Sequence, residues 1–186
     1  MDRPSGVRTC LYDTAQSCVI VEDMARRLAG LLGGEPAVIV GILRRGAPLA
    51  DRIGECMRQR HGLPPPLRAD LKVTRYADDL TLLYPETRLS ENEGQPLPVL
   101  EGRTLAIVDD VLYTGHSLLR VVAYLARRRP ARILSAILVD RGVARLPVRA
   151  DVVGVRLDIA PHDIIECSVP PYEPEFRIEL LQPQRA

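Results

Sequence analysis

Two adjacent acids, Asp109 and Asp110, follow a short apolar run, Thr104 to Val108, and after Val111 and Leu112 comes Tyr113-Thr114-Gly115-His116-Ser117. A glycine with small hydroxyl residues at a helix N-terminus leaves backbone N–H groups to surround a phosphate, and the helix dipole favours its negative charge. Two acids just ahead of such a turn can hydrogen-bond vicinal sugar hydroxyls, or hold a hydrated Mg²⁺ that bridges substrate oxygens. A phosphorylated sugar satisfies both ends of the segment. The plainer alternative is a strand-to-helix turn in which Asp110 or Thr114 only caps the helix. A second cluster, Arg44-Arg45-Gly46, follows another apolar run. Its guanidinium groups and free N–H donors suit pyrophosphate, although a solvated turn would use the same residues. His116 could donate to phosphate when protonated, or face water.

The elements that would carry these residues are legible in the periodicity. Asp13 and Thr14 are cap-type residues ahead of Val19, Ile20, Met24, Leu28 and Leu31 at helical spacing, and Gly33-Gly34 stops that helix. Ala37 to Leu43 (AVIVGIL) is almost wholly apolar and rich in β-branched residues, as expected of a strand covered on both faces. Pro48 to Arg60 returns to helical spacing, and Leu67 to Tyr76 alternates like a strand with one wetter face. Thr104 to Val108 is a second buried strand, a helix runs from about Ser117 to Arg128, and Ile133 to Val139 is a third buried strand. Val152 to Val155 adds a last one, while the proline-rich tail beyond Pro161 shows no period. Ala77 to Gly102 mixes acids, prolines and glycine, the signature of a long functional loop with room for short hairpin strands. Strands alternating with helices predict an α/β fold, a mostly parallel, doubly wound sheet with helices on both faces and ligands at the carboxyl ends of its strands.

The 186 residues suit one compact domain, and 46% hydrophobic with 26% charged residues suit a soluble globular chain. No apolar run approaches the roughly 20 residues that span a bilayer, and Met1 to Cys10 lacks the apolar stretch of a signal peptide, so a cytoplasmic protein without a membrane role is expected. Cys10, Cys18, Cys56 and Cys167 are scattered, with no zinc spacing, and read as reduced thiols. A formal net charge of +1 gives no global attraction to nucleic acid.

The segment VDDVLYTGHS (Val108 to Ser117) resembles the 5-phosphoribosyl 1-pyrophosphate (PRPP) signature of type I phosphoribosyltransferases, and its DDVLYTG core is similar to that of the PyrR family of pyrimidine operon regulators and uracil phosphoribosyltransferases. Val40 to Asp51 (VGILRRGAPLAD) resembles the family's pyrophosphate loop and the helix after it. Tyr76 to Leu80 (YADDL) resembles the start of its catalytic flap, and Leu138 to Asp151 (LVDRGVARLPVRAD) its base-recognition segment. The blocks come in family order from about Asp13 to Gly154. The resemblance implies the type I fold with a flap over about 77–102 and transfer of a phosphoribosyl group to uracil with Mg²⁺, giving UMP and pyrophosphate. It implies PRPP contacts from Arg44, Arg45 and Gly46 and from Asp109, Asp110 and Val111, and further contacts from Tyr113, Thr114, Gly115, His116 and Ser117. Asp109, Asp110 and Arg45 would carry catalysis, the two acids also meeting the metal, directly or through water. Val139, Asp140, Arg141 and Gly142 would meet the base, largely through backbone groups, although Asp140, Arg141 and Gly142 could equally tie the loop together. A homo-oligomer is implied as well.

Three regions depart from the family pattern. Ala77 stands where the flap has an arginine, leaving Arg75 and Arg88 as substitutes, and Val143 stands where a histidine commonly adjoins the base. The first helix has Val19, Ile20, Val21 and Glu22 where the family presents RNA contacts. An acid facing RNA phosphate is unfavourable, although Arg26, Arg27, Arg141, Arg145 and Arg149 could form a basic face nearby. Two alternatives therefore stand beside the uracil enzyme: a UMP- or PRPP-sensing regulator with an RNA or protein partner, and a transferase for another base.

Overall fold

A computed structural model describes residues 5–74 and 88–184. Strand β1 (Gly6–Tyr12) leads into helix α1 (Thr14–Leu32) through a capping box. The Gln16 N–H donates to Asp13 Oδ1 at 2.9 Å and the Asp13 N–H to Gln16 Oε1 at 3.0 Å. Gly33 ends α1 in the left-handed region, at φ 62°. One stripe of the helix, Val21, Met24, Ala25, Leu28 and Leu32, is buried at helical spacing.

Six strands form the main sheet. β2 (Ala37–Leu43) pairs in parallel with β3 (Leu67–Thr74) on one side and β5 (Thr104–Leu112) on the other. β6 (Arg132–Asp140) and β7 (Val152–Arg156) extend it in parallel, and β4 (Arg88–Glu91) adds an antiparallel edge, giving the order β4-β3-β2-β5-β6-β7. Alternation along the strands splits the core into two layers. Ile39, Ala106, Val108, Ala136 and Leu138 pack with α1 and helix α2 (Gly46–His61). Val38, Val40, Leu105, Ile107 and Ile137 pack with helix α3 (His116–Ala126) on the other face. The doubly wound α/β sheet expected from the sequence is therefore present, with helices on both faces.

The tail does not follow its expectation. Beyond Pro161 it forms β8 (Ile164–Ser168) and β9 (Arg177–Pro183), which join β1 in a second, antiparallel sheet of order β1-β9-β8. Phe176 and Ile178 anchor this sheet in the core beneath α1 and α2. Several boundaries also move. α2 begins at Gly46 rather than Pro48, α3 spans His116–Ala126 rather than Ser117 to Arg128, and β5 continues through Asp109 and Asp110 to Leu112. The continuation follows from pairing, because β6 remains alongside and matches Asp109 with Ile137 and Val111 with Val139. The expected flap opening Tyr76 to Leu80 lies outside the described residues. Of the rest of the long loop, Arg88 to Gly102 contains β4, a turn closed by an Asn92–Gln95 bridge, and the buried Leu100. Among the described residues no helix is long and apolar enough to cross a membrane.

Candidate active site

Close backbone packing sets the floor of the site. A Cβ on Gly46, the first residue of α2, would lie 2.5 Å from the Val108 carbonyl oxygen and 3.1 Å from Asp109 Cα. The α2 start therefore rests directly on the end of β5, which brings Arg45 beside Asp110. The Asp110 N–H donates to Asp109 Oδ1 at 2.9 Å. Burial pushes the Asp109 carboxyl well above the usual carboxylate range, and the neighbouring Asp110 charge adds to the rise. Burial also raises Asp110, which the positive charge of Arg45 partly offsets. Two desolvated acids side by side are short of positive charge, so a cation or donating sugar hydroxyls would relieve them. Among the described residues no group of three or more metal-ligating side chains occurs. The acid pair can thus supply at most two carboxylates, a set that fits Mg²⁺ sharing its sphere with water and substrate oxygens.

Beyond the acids the chain turns at Gly115, φ 87°, and α3 starts with no side chain capping it. Neither Asp110 nor Thr114 is its cap, contrary to the plainer alternative. The first N–H groups of α3 therefore keep their donors for an anion. His116 Nδ1 lies 2.9 Å from Thr114 Oγ1, within the same loop, and Tyr113 is exposed.

The segment after β6 is fastened onto this turn. The Arg141 N–H donates to the Leu112 carbonyl at 3.1 Å and the Arg145 N–H to the Thr114 carbonyl at 3.0 Å. A Cβ on Gly115 would collide with a Val148 methyl, so a glycine is needed here for space as well as for its φ. Asp140 Oδ1 accepts from the Gly142 N–H at 2.8 Å, and its Oδ2 from Arg156 at 3.1 Å. The Arg141 guanidinium carbon sits 4.1 Å from the Tyr113 ring centroid, while its Nη2 donates to the Asp163 carbonyl at 2.9 Å. Both side chains are buried and hold the loop's own shape. Arg141 is thereby withdrawn from the basic face, whereas Arg145 and Arg149 are exposed. On the first helix, Glu22 pairs with Arg60, and Asp23 with Arg26 and Arg27.

Residues 8–174 match the phosphoribosyl transferase domain family. The chain is also 36% identical over 156 residues to the bifunctional protein PyrR of Thermus aquaticus, covering 83% of this chain and 84% of that one. It belongs to the phosphoribosyl transferase family, in its PyrR branch. The PyrR of Chloroflexus aurantiacus is 40% identical to this family member over 137 residues, with 73% and 71% of the two chains covered. A hypoxanthine phosphoribosyl transferase of Trypanosoma cruzi superposes with a TM-score of 0.75 over 98% of this chain and 95% of its own, at 19% identity, a likeness of fold.

In this PyrR-branch chain the structure adds two residues to the site that the sequence reading passed over. Glu173 Oε1 accepts from Arg45 Nε and Nη2 at 3.1 and 2.7 Å, and the Tyr172 ring centroid lies 5.2 Å from the Arg44 guanidinium carbon. Both come from the proline-rich tail. Their only signal was an aromatic and an acid between prolines, too little to place them against residues 128 positions away.

Proposed function

We propose that this chain is a uracil phosphoribosyltransferase of the PyrR type, converting uracil and PRPP to UMP and pyrophosphate. The observation that carries the reading is the acid pair at the end of β5 running into the uncapped start of α3, with Arg45 beside Asp110. During transfer the ribose carbon becomes oxocarbenium-like as its bond to pyrophosphate breaks and its bond to the base forms. Asp109 and Asp110 would hold the ribose hydroxyls, and their charge favours the cationic sugar. The α3 N–H groups would take the 5-phosphate, and Arg44, Arg45 and the loop around Gly46 the leaving pyrophosphate. Bound Mg²⁺ would neutralise charge on the pyrophosphate oxygens, held by the acid pair directly or through water. Val139 to Gly142 would read the base through backbone groups, since the Asp140 and Arg141 side chains are engaged within the loop. To the flap between Ala77 and Gly102 we assign the exclusion of water. The four cysteines are free, which suits a reducing cytoplasm, and the oligomer expected from the family would be a homo-oligomer.

A nucleotide-sensing regulator with little catalysis is the second reading, favoured by Val143, exposed in the base segment where the family commonly has a histidine. Of the arginines that could form a basic face for RNA, Arg26 and Arg27 pair with Asp23 and Arg141 is buried, while Arg145 and Arg149 are exposed, a weak basis for backbone contacts.

PRPP with Mg²⁺ is expected to raise the melting temperature. A ligand at a hundred times its Kd adds about 2.7 kcal/mol, or roughly 5–10 °C for a chain of this size. Omitting Mg²⁺ should shrink the shift. A radiometric assay with PRPP against a panel of bases should then show turnover with uracil. Absence of both a melting shift and calorimetric heat at saturating PRPP would sink the reading, and binding without turnover would favour the sensor.

A further inference from the structure

The connection between β8 and β9 lies over the loop that carries Arg44 and Arg45, two consecutive residues meeting two. Tyr172 lies against Arg44, and Glu173 holds Arg45. The Glu173 carboxylate is fixed through both of its oxygens. Oε1 accepts from Nε and Nη2 of Arg45, and Oε2 accepts from the Val169 N–H at 2.8 Å. Glu173 is only 7% exposed, and three residues later Phe176, 1% exposed, sits in the core. The carboxylate therefore stands on a short, anchored piece of backbone.

We propose that Glu173 is a positioning residue for phosphoribosyl transfer: it grips the Nε–Nη2 edge of Arg45, keeping the Nη1 donors for pyrophosphate and holding the arginine off Asp110. The inference rests on the reading of the site given above. Its second half follows from the electrostatics. Arg45 and Asp110 are close enough for each to feel the other's charge, yet Arg45 makes its hydrogen bonds to Glu173. Without that partner, Asp110, whose charge Arg45 already feels, would be the carboxylate to capture the guanidinium. The acid needed for ribose hydroxyls or a cation would then be occupied, and the cation needed for pyrophosphate would be neutralised.

A carboxylate beside an anion-binding arginine could instead be a competitor that pyrophosphate displaces. Its setting argues against that role. Burial alone would raise the Glu173 carboxyl, but the Arg45 and Val169 hydrogen bonds and the charges of Arg45 and Arg44 outweigh it and hold the group below the usual range. Displacement would strand a buried, ionised carboxylate, a costly state. An arginine side chain has many rotamers to lose, so fixing its fork before substrate arrives favours both binding and the transition state.

The test compares wild type, Glu173→Gln, Glu173→Ala, Arg45→Ala and the Arg45→Ala/Glu173→Ala double variant. Steady-state kinetics with PRPP and uracil would be set beside calorimetric titration with inorganic pyrophosphate and PRPP. Glu173→Ala is expected to lower kcat/KM for PRPP about ten- to a hundredfold, the scale of a misplaced catalytic group, and to weaken pyrophosphate binding. Glu173→Gln, which preserves shape and one acceptor, should lose less, and it covers the case in which the alanine variant does not fold. In the Arg45→Ala background, removing Glu173 should change nothing further, because its effect passes through that arginine. Unchanged kcat/KM in a folded Glu173 variant, tighter pyrophosphate binding, or a full additional loss in the double variant would each overturn the proposal. Wild type that binds PRPP without turnover leaves the affinities to make the same comparison. Wild type with neither turnover nor PRPP heat would instead overturn the reading of the site, and this inference with it.

Discussion

The double substitution Asp109→Asn/Asp110→Asn is expected to lower turnover about a hundredfold or more, the loss typical of removing charged groups that act on the transition state. The fold should survive, because the amide introduced at position 109 would keep the oxygen that accepts the Asp110 N–H in the native chain. The same change should stabilise the free protein at neutral pH. Burial holds both carboxyls above the ordinary carboxylate range in the folded state. The folded chain therefore retains protons that the unfolded chain has released, and stability falls as pH rises from the ordinary carboxylate value through the folded one. At neutral pH the native acids bear this cost and the amides do not. Melting curves should show the variant above wild type near neutrality, the difference closing below about pH 4, where both states are protonated. Near-normal turnover would reduce the acid pair to a structural turn, and a variant melting below wild type at neutrality would contradict the electrostatic account.

Gly46→Ala should disturb both the fold and the site with a single methyl group. Its Cβ meets the Val108 carbonyl and Asp109 Cα, both backbone, so no rotamer change can make room. The α2 start must lift from β5, at about 1–3 kcal/mol for an overpacked site, and Arg45 moves with it, away from Asp110. Lower melting temperature and weaker PRPP binding should appear together. Gly30→Ala is the control of opposite sign: nothing lies within 4 Å of its Cβ, and replacing a helical glycine by alanine should stabilise by about 0.5–1 kcal/mol. If both substitutions leave melting and PRPP affinity unchanged, the close approach of α2 to β5 does not govern the site.

The central sheet was legible because its strands are buried on both faces and say so in unbroken apolar runs, as in Ala37–Leu43. α1 was legible because Asp13, Gln16 and Gly33 mark its ends. Less visible was the continuation of β5 through two aspartates, residues with low strand propensity that stay in the sheet because β6 pairs with them. The second sheet was not legible because prolines crowd the connection between β8 and β9 and because β1 pairs with β9 across nearly the whole chain. The acid pair and the turn into α3 could be read locally, as consecutive residues. Glu173 could not, because its meaning comes from Arg45, which sequence order places far away.

Among the described residues β1 pairs with β9 alone, the first strand meeting the last. During translation about 165 residues separate Tyr12 from Arg177, and synthesis at about 5–20 residues per second leaves β1 without its mate for roughly ten to thirty seconds. The main sheet from β2 to β7 can assemble in that interval, since all its strands have emerged before β8. Glu173 arrives on the same late stretch of chain, so a nascent polypeptide would carry a formed core and an arginine still without its partner. The waiting β1, with its open hydrogen-bonding edges, is where association between unfinished chains would begin.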